Sequence, residues 1–223
     1  MPMIPQLTPL RNNLATYARF VEQMISKSRD ALIDRRRDLL EDIIGRDEAR
    51  ANESEVDLEA EGTSLIAQHQ PMARDLRTVL MILHITTDLE RMADHAVNIA
   101  ETVREHLEGA DTPPDQEVIR MFGVTLAMVG RAITAFLEED ARLGQSVCEA
   151  DSDVDTLAAR ILERLSGTMS HEPDTVAHNL AFLKVAANLE RIADLSTNIG
   201  EDVIYMVQGR VIKHNREQDE GRP

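Results

Sequence analysis

The sequence predicts an all-α protein: two tandem three-helix bundles, six long antiparallel helices related by an internal pseudo-twofold repeat. Three observations carry that expectation. Only 10 Gly and 8 Pro interrupt 223 residues, and long stretches are dominated by Ala, Leu, Glu and Arg, whose summed propensity favours helix. Apolar residues recur at heptad spacing. A motif also returns 100 positions downstream. Asp88-Leu89-Glu90-Arg91-Met92-Ala93-Asp94 with Asn98-Ile99-Ala100-Glu101 becomes Asn188-Leu189-Glu190-Arg191-Ile192-Ala193-Asp194 with Asn198-Ile199-Gly200-Glu201. That period is too long for a solenoid unit, so two packed half-molecules are the simpler architecture.

In chain order, a first helix is expected from Thr8 to Ile44 and a second from Asp47 to Gln68, separated at Gly45. A third runs from Met72 to Leu107, with Pro71 at a first-turn position where its missing N–H costs nothing. Gly109, Pro113 and Pro114 break the periodicity most clearly, which divides the chain into repeats at 1–109 and 110–209. The second repeat offers helices from Gln116 to Arg142, from Gln145 to Gly167, and from Asp174 to Gln208 behind Pro173. Residues 210–223 form a polar tail expected to fray.

Composition excludes several functions. Forty acidic residues against 24 basic ones leave a net charge of -16, which repels a phosphate backbone, and an aromatic content of 3% without Trp provides no stacking platform. Nucleic acid is therefore not an expected partner. The single Cys148 cannot form an internal disulfide, in keeping with a reducing, cytoplasmic setting. Met1 to Pro9 lacks a basic region followed by an apolar run, and no stretch of 18 apolar residues occurs, so neither export nor a membrane span is expected.

On a helical wheel, Ile82, Ile85, Leu89, Met92, Ala96, Ile99 and Val103 form one apolar seam of the third helix. Glu90, Asp94 and Glu101 fall on another stripe, roughly 140–180° away. The sixth helix repeats this with Val185, Leu189, Ile192, Ile199 and Val203 against Glu190, Asp194 and Glu201. Asn98 and Asn198 extend the polar stripes. A weaker echo, 98 positions apart, matches Glu53-Ser54-Glu55-Val56-Asp57 to Asp151-Ser152-Asp153-Val154-Asp155.

Four acidic pairs at i and i+4 result: Glu53 with Asp57, Glu90 with Asp94, Asp151 with Asp155, and Glu190 with Asp194. Each pair costs a helix roughly 0.2–0.5 kcal/mol, so helix stability does not call for them. Were the second and third helices of a half adjacent, two pairs would converge into one patch suited to hard cations such as Mg²⁺, Mn²⁺ or iron, and bridging carboxylates hold more than one ion. The competing reading is a solvated helix face, the usual fate of surface charge. Glu101 and Glu201 are weaker candidates on the same stripes.

Other residues read as structural. Arg91 and Arg191 suit surface or bridging roles, His95 reads as a surface residue because Leu195 replaces it in the second half, and Arg74, Asp75 and Arg77 have no second-half counterpart. Cys148, Met81, Met92, Met121 and Met128 read as packing residues. No glutamate stands three residues before any histidine, and neither Gly-x-Ser-x-Gly nor His-Glu-x-x-His occurs, so catalysis is not expected.

The two long motifs, with Gln70-Pro71 and Asp75-Leu76-Arg77, resemble the PhoU phosphate-transport regulator family over nearly the whole chain. The resemblance implies a non-enzymatic cytoplasmic protein, often a homodimer, with multinuclear clusters of iron or of Mg, Mn or Zn on the acidic motifs. It implies negative regulation of phosphate uptake and of the phosphate-starvation response. The implied partners are subunits of a phosphate ABC transporter and a membrane sensor histidine kinase, with peripheral membrane association allowed. Carried over by position, the metal ligands would be Glu53, Asp57, Glu90 and Asp94, then Asp151, Asp155, Glu190 and Asp194. Ala93 and Ala193 stand where that family usually has glycine. The alternative is a metal-binding scaffold, or an acidic helical adaptor, unrelated to phosphate signalling.

Overall fold

The computed structural model describes residues 4–106 and 113–209; the expected helix end at Leu107, the middle of the boundary segment and the polar tail lie outside them. The elements are α1 (Leu7–Asp34), α2 (Arg37–Glu41), a π-helical turn (Asp42–Asp47), α3 (Glu48–His69), α4 (Arg74–His106), α5 (Gln116–Glu138), α6 (Ala141–His171), a 3₁₀ turn (Pro173–Thr175) and α7 (Val176–Gln208). No strand occurs among the described residues. The fold is all-α, and the six long helices α1, α3, α4, α5, α6 and α7 stand in the expected order.

The largest departures from the expected boundaries fall at two junctions where neither Gly nor Pro marks the turn. The first helix ends at Asp34 rather than Ile44, because Arg35 turns left-handed (φ 54°) with its N–H on the Ala31 carbonyl. Arg36 Nε then bonds Asp38 Oδ1 at 2.7 Å across the turn. Breaking early lets the following segment bury Leu40 and Ile43, so Gly45 lies inside the π-helical turn and separates nothing. The fourth helix ends at Glu138 rather than Arg142: Glu139 is left-handed (φ 53°), and Asp140 caps α6 through the N–H groups of Arg142 (2.8 Å) and Leu143 (3.2 Å). The fifth therefore starts at Ala141 and continues to His171, past Gly167. Pro71 is not in a first turn either, since the link from Gln70 (φ 44°) to Ala73 (φ 50°) delays α4 to Arg74. Pro173 does open the 3₁₀ turn before α7, and Gly209 (φ 67°) closes that helix.

Within each half the three long helices pack on one another, and the halves join along α4 against α7 and α1 against α5. Every residue named in the two apolar seams is buried, and one continuous core runs through both halves. His84 Nδ1 stands 3.5 Å from Asp202 Oδ2 and His95 Nδ1 2.9 Å from Asn188 Oδ1, so α4 and α7 run antiparallel. His95 is thus a half-buried contact between the halves rather than the surface residue expected. Ala93 and Ala193, both buried, lie opposite each other in this register, where small side chains allow close approach.

Arg74, Asp75 and Arg77 act as a structural clamp. Arg74 and Arg11 both hold Glu139 in the α5–α6 turn, Asp75 Oδ2 accepts the Ile4 N–H at 3.2 Å, and Arg77 lies beside Gly209 at the end of α7. The most apolar helix, α5, has the length and composition of a membrane span, but half of its apolar stretch is buried in the bundle. Helices α6 and α7 come close at Gly144 and Gly200, where a Cβ on either would stand 2.8 Å from the other's carbonyl oxygen. Backbone cannot step aside cheaply, so Gly200→Ala is expected to cost about 1–3 kcal/mol in urea unfolding. An unchanged midpoint would refute the close approach.

Candidate metal centre

In the second half, α6 and α7 place the four expected carboxylates on facing sides of one open cavity of 790 Å³. Asp151 and Asp155 come from α6, Glu190 and Asp194 from α7, and Glu201 and Asn198 border the same space. Their faces are fixed by the core: Val147, Val154 and Ile161 point inward at heptad spacing on α6, as Leu189 and Ile192 do on α7. Burial, followed by the negative charges of Asp194, Asp155 and Asp151, pushes the Glu190 carboxyl above its ordinary range. Arg191 reaches Asp194 at 3.4 Å and opposes this only partly. Cys148 and Thr197 line the cavity wall, the thiol pushed up to about 11 chiefly by burial. The Thr197 hydroxyl is buried and finds no hydrogen-bond partner among the described residues.

The first half uses a different set from the one expected. Burial, then Asp94 and Glu55, pushes Glu90 up to about 7, and Glu90 and Asp94 share a hydrogen bond. Glu55 in turn is raised by burial, then by Glu59 and Asp94. The cluster is therefore Glu55, Glu59, Glu90 and Asp94. Glu53 is exposed, and Asp57 lines a groove between α1 and α3 with Asn13, Thr16 and Tyr17. Neither is brought to Glu90. The cause is register. Ala51, Leu58 and Leu65 are the buried heptad of α3, and they match Val147, Val154 and Ile161 at a separation of 96. The acidic echo at 98 pairs Val56, which is 63% exposed, with Val154, which is 0% exposed. Matching the apolar heptad instead pairs Glu55 with Asp151 and Glu59 with Asp155. Glu101, half-buried, lies two turns beyond Asp94 on α4.

The polar stripe also serves the seam between the halves. Asn198 donates to Asp88, whose carboxyl is raised chiefly by burial, and Arg91 lies 3.6 Å from Asp88. Asp202, beside His84 and Asp88, is pushed up to about 6, first by burial.

Chemically, the four carboxylates of each cluster are oxygen donors, crowded and partly desolvated, a set that hard cations would neutralise, and the Cys148 thiol beside the second is held protonated by its raised value. As the side chains stand, no three His, Cys, Asp or Glu groups among the described residues converge on a metal-sized point. The donor set fits a cation, and closing the site requires these exposed or half-buried carboxylates to swing inward.

The profile of the PhoU domain matches residues 14–103 and again 118–203. The chain belongs to the PhoU domain family. Each match spans one half, so the PhoU repeat is the three-helix unit seen here. A phosphate-specific transport system accessory protein PhoU homolog of Clostridium acetobutylicum is 31% identical over 210 residues, 94% of this chain and 95% of that protein. A PhoU homolog of the same description from Aquifex aeolicus is 31% identical over 221 residues, covering 99% and 100%. The crystal structure of PhoU from Pseudomonas aeruginosa superposes with a TM-score of 0.87 at 30% identity, over 92% of this chain and 98% of that one. The phosphate transport system regulatory protein PhoU from Streptococcus pneumoniae gives 0.86 at 26% identity, over 93% and 97%.

Proposed function

We propose that this chain is a non-catalytic accessory regulator of a phosphate-specific transport system. In this reading it restrains phosphate uptake and the phosphate-starvation response by docking, as a cytoplasmic homodimer, on a phosphate ABC transporter and a membrane sensor histidine kinase. The observation that carries the reading is the pairing of carboxylate clusters at equivalent places in the two halves of a PhoU fold, beside relatives named as transport accessory proteins.

The clusters are proposed to hold multinuclear metal, iron or Mg, Mn or Zn, through Glu55, Glu59, Glu90 and Asp94 and through Asp151, Asp155, Glu190 and Asp194. Bound cations would supply charge neutralisation on an otherwise acidic surface of net charge -16. The chain itself provides oxygen donors on rigid helices, with Arg91 and Arg191 offsetting part of the repulsion. Metal occupancy would then set how well these faces meet a partner, a phosphate-bearing ligand or a membrane surface.

Elemental analysis of purified protein is expected to find several metal atoms per chain, and clearly fewer in Glu190→Gln/Asp194→Asn. In a strain lacking the gene, alkaline phosphatase should rise in phosphate-rich medium; wild type should restore repression and the variant should not. Unchanged phosphatase on deletion would sink the regulatory reading, and full restoration by a metal-poor variant would sink the metal's part in it. One observation favours a second reading, an acidic adaptor without metal: the carboxylates do not converge as they stand. That reading predicts partner binding that weakens with salt and ignores chelators.

A further inference from the structure

Each carboxylate cluster lies near a buried hydroxyl without a hydrogen-bond partner among the described residues. In the first half it is Tyr17 of α1, 3% exposed, whose hydroxyl finds no partner among the described residues and lies in the electrostatic reach of Glu55, Glu90 and Asp94. In the second it is Thr197 of α7, 6% exposed, a residue of the wall of the cavity holding Asp151, Asp155, Glu190 and Asp194, whose hydroxyl is buried and likewise unpartnered among the described residues. An unsatisfied buried hydroxyl is destabilising, and folded proteins rarely keep one without use.

The repeat did not supply these two groups. α1 and α5 correspond at a separation of 104, through their left-handed ends Arg35 and Glu139 and through the buried pairs Leu14 with Val118 and Met24 with Met128. Tyr17 therefore matches Met121, which has no hydroxyl, and Thr197 matches Val97 in the α4–α7 repeat. Each half has its own hydroxyl, from a different helix, against the same acidic face.

We propose that Tyr17 and Thr197 are positioning residues for cations, each donating its O–H to a carboxylate or water oxygen of its own cluster when a hard cation draws the carboxylates inward. This rests on the metal reading above and adds residues outside the acidic motifs. In the metal-free fold the hydroxyls have no partner among the described residues; in the loaded fold they hold the ligating oxygens in one orientation, as outer-shell donors do.

The probe is terbium(III), a hard cation that emits when a nearby tyrosine is excited; the chain has no Trp and only two Tyr, Tyr17 and Tyr205. Uptake is counted by elemental analysis in full-length protein, with one cluster disabled at a time by Glu190→Gln/Asp194→Asn or Glu55→Gln/Glu90→Gln. At the first cluster, Tyr17→Phe should weaken terbium binding about three- to tenfold, the loss of one hydrogen bond, and abolish sensitised emission. At the second, Thr197→Val should weaken binding by a similar factor. Without metal, neither variant should melt lower than wild type, and Tyr17→Phe should melt about 2–4 °C higher, because an unsatisfied group has been removed. Unchanged affinities overturn the assignment, as does a metal-free variant that melts lower, since that hydroxyl would already be bonded. Absence of terbium uptake by wild type overturns the metal reading and this inference together, whereas uptake insensitive to both substitutions overturns this inference alone.

Discussion

Metal-free protein is expected to melt higher at pH 5 than at pH 7.5, the reverse of ordinary acid denaturation. Glu90 is raised to about 7 and Asp202 to about 6, and Glu22, Glu55, Asp88 and Glu190 move in the same direction, each chiefly through burial. A carboxyl whose folded value exceeds its unfolded value, near 4, binds a proton more readily in the native state. Its contribution is complete below about pH 4 and is lost as pH rises through the folded value, here mostly between pH 5 and 7.5. Cation binding runs the other way, because each proton displaced costs about tenfold in affinity per pH unit below the group's own value. Loaded protein should therefore gain on the metal-free form as pH rises. Differential scanning calorimetry with and without chelator checks both slopes, and Glu90→Gln should flatten the metal-free one. A midpoint that climbs steadily from pH 5 to 7.5 in chelated protein would overturn the account.

Phe122→Ala is expected to cost about 3–5 kcal/mol, lowering the melting midpoint by on the order of 10 °C. Phe122, on α5, is the largest fully buried side chain among the described residues. Because one apolar cluster runs through both halves, the loss should appear as a single cooperative transition that shifts as a whole. Two separated transitions, only one of them shifted, would show that the halves fold independently despite the α4–α7 contact.

The sequence made the central helices readable because periodicity and duplication agree there. The acidic stripe of α4 recurs in α7 and its apolar seam recurs largely in kind, and every predicted seam residue is buried. The second cluster followed directly from its four carboxylates. In the first half, chemical likeness misled: aligning acids with acids put Glu53 and Asp57 in the cluster, while the apolar heptad Ala51-Leu58-Leu65, which decides the inward face, selects Glu55 and Glu59. The helix ends at Arg35 and Glu139 were hidden because non-glycine residues take the left-handed conformation there, held by contacts such as Arg11 with Glu139 that span 128 positions. The Asp140 cap was the one local clue. Tyr17 could not be found locally at all, since only tertiary packing brings α1 to an acidic face made by α3 and α4.

The three helix pairs are out of step with one another: α1 and α5 at 104, α3 and α6 at 96, α4 and α7 at 100. Since they diverged, the halves have thus come to differ by eight residues between their first and second long helices, where the first half carries α2 and the π-helical turn. In the opposite sense, the second half is four residues longer, about one helical turn, before the last helix, where α6 outruns α3. Every change in length has been absorbed at the ends of the rods, and the acidic faces in their middles have kept their alignment. Segments engineered into this protein should follow the same rule: additions near Gly45 or Glu172 extend an end, while a one-residue insertion between Glu90 and Asp94 would turn a whole face away.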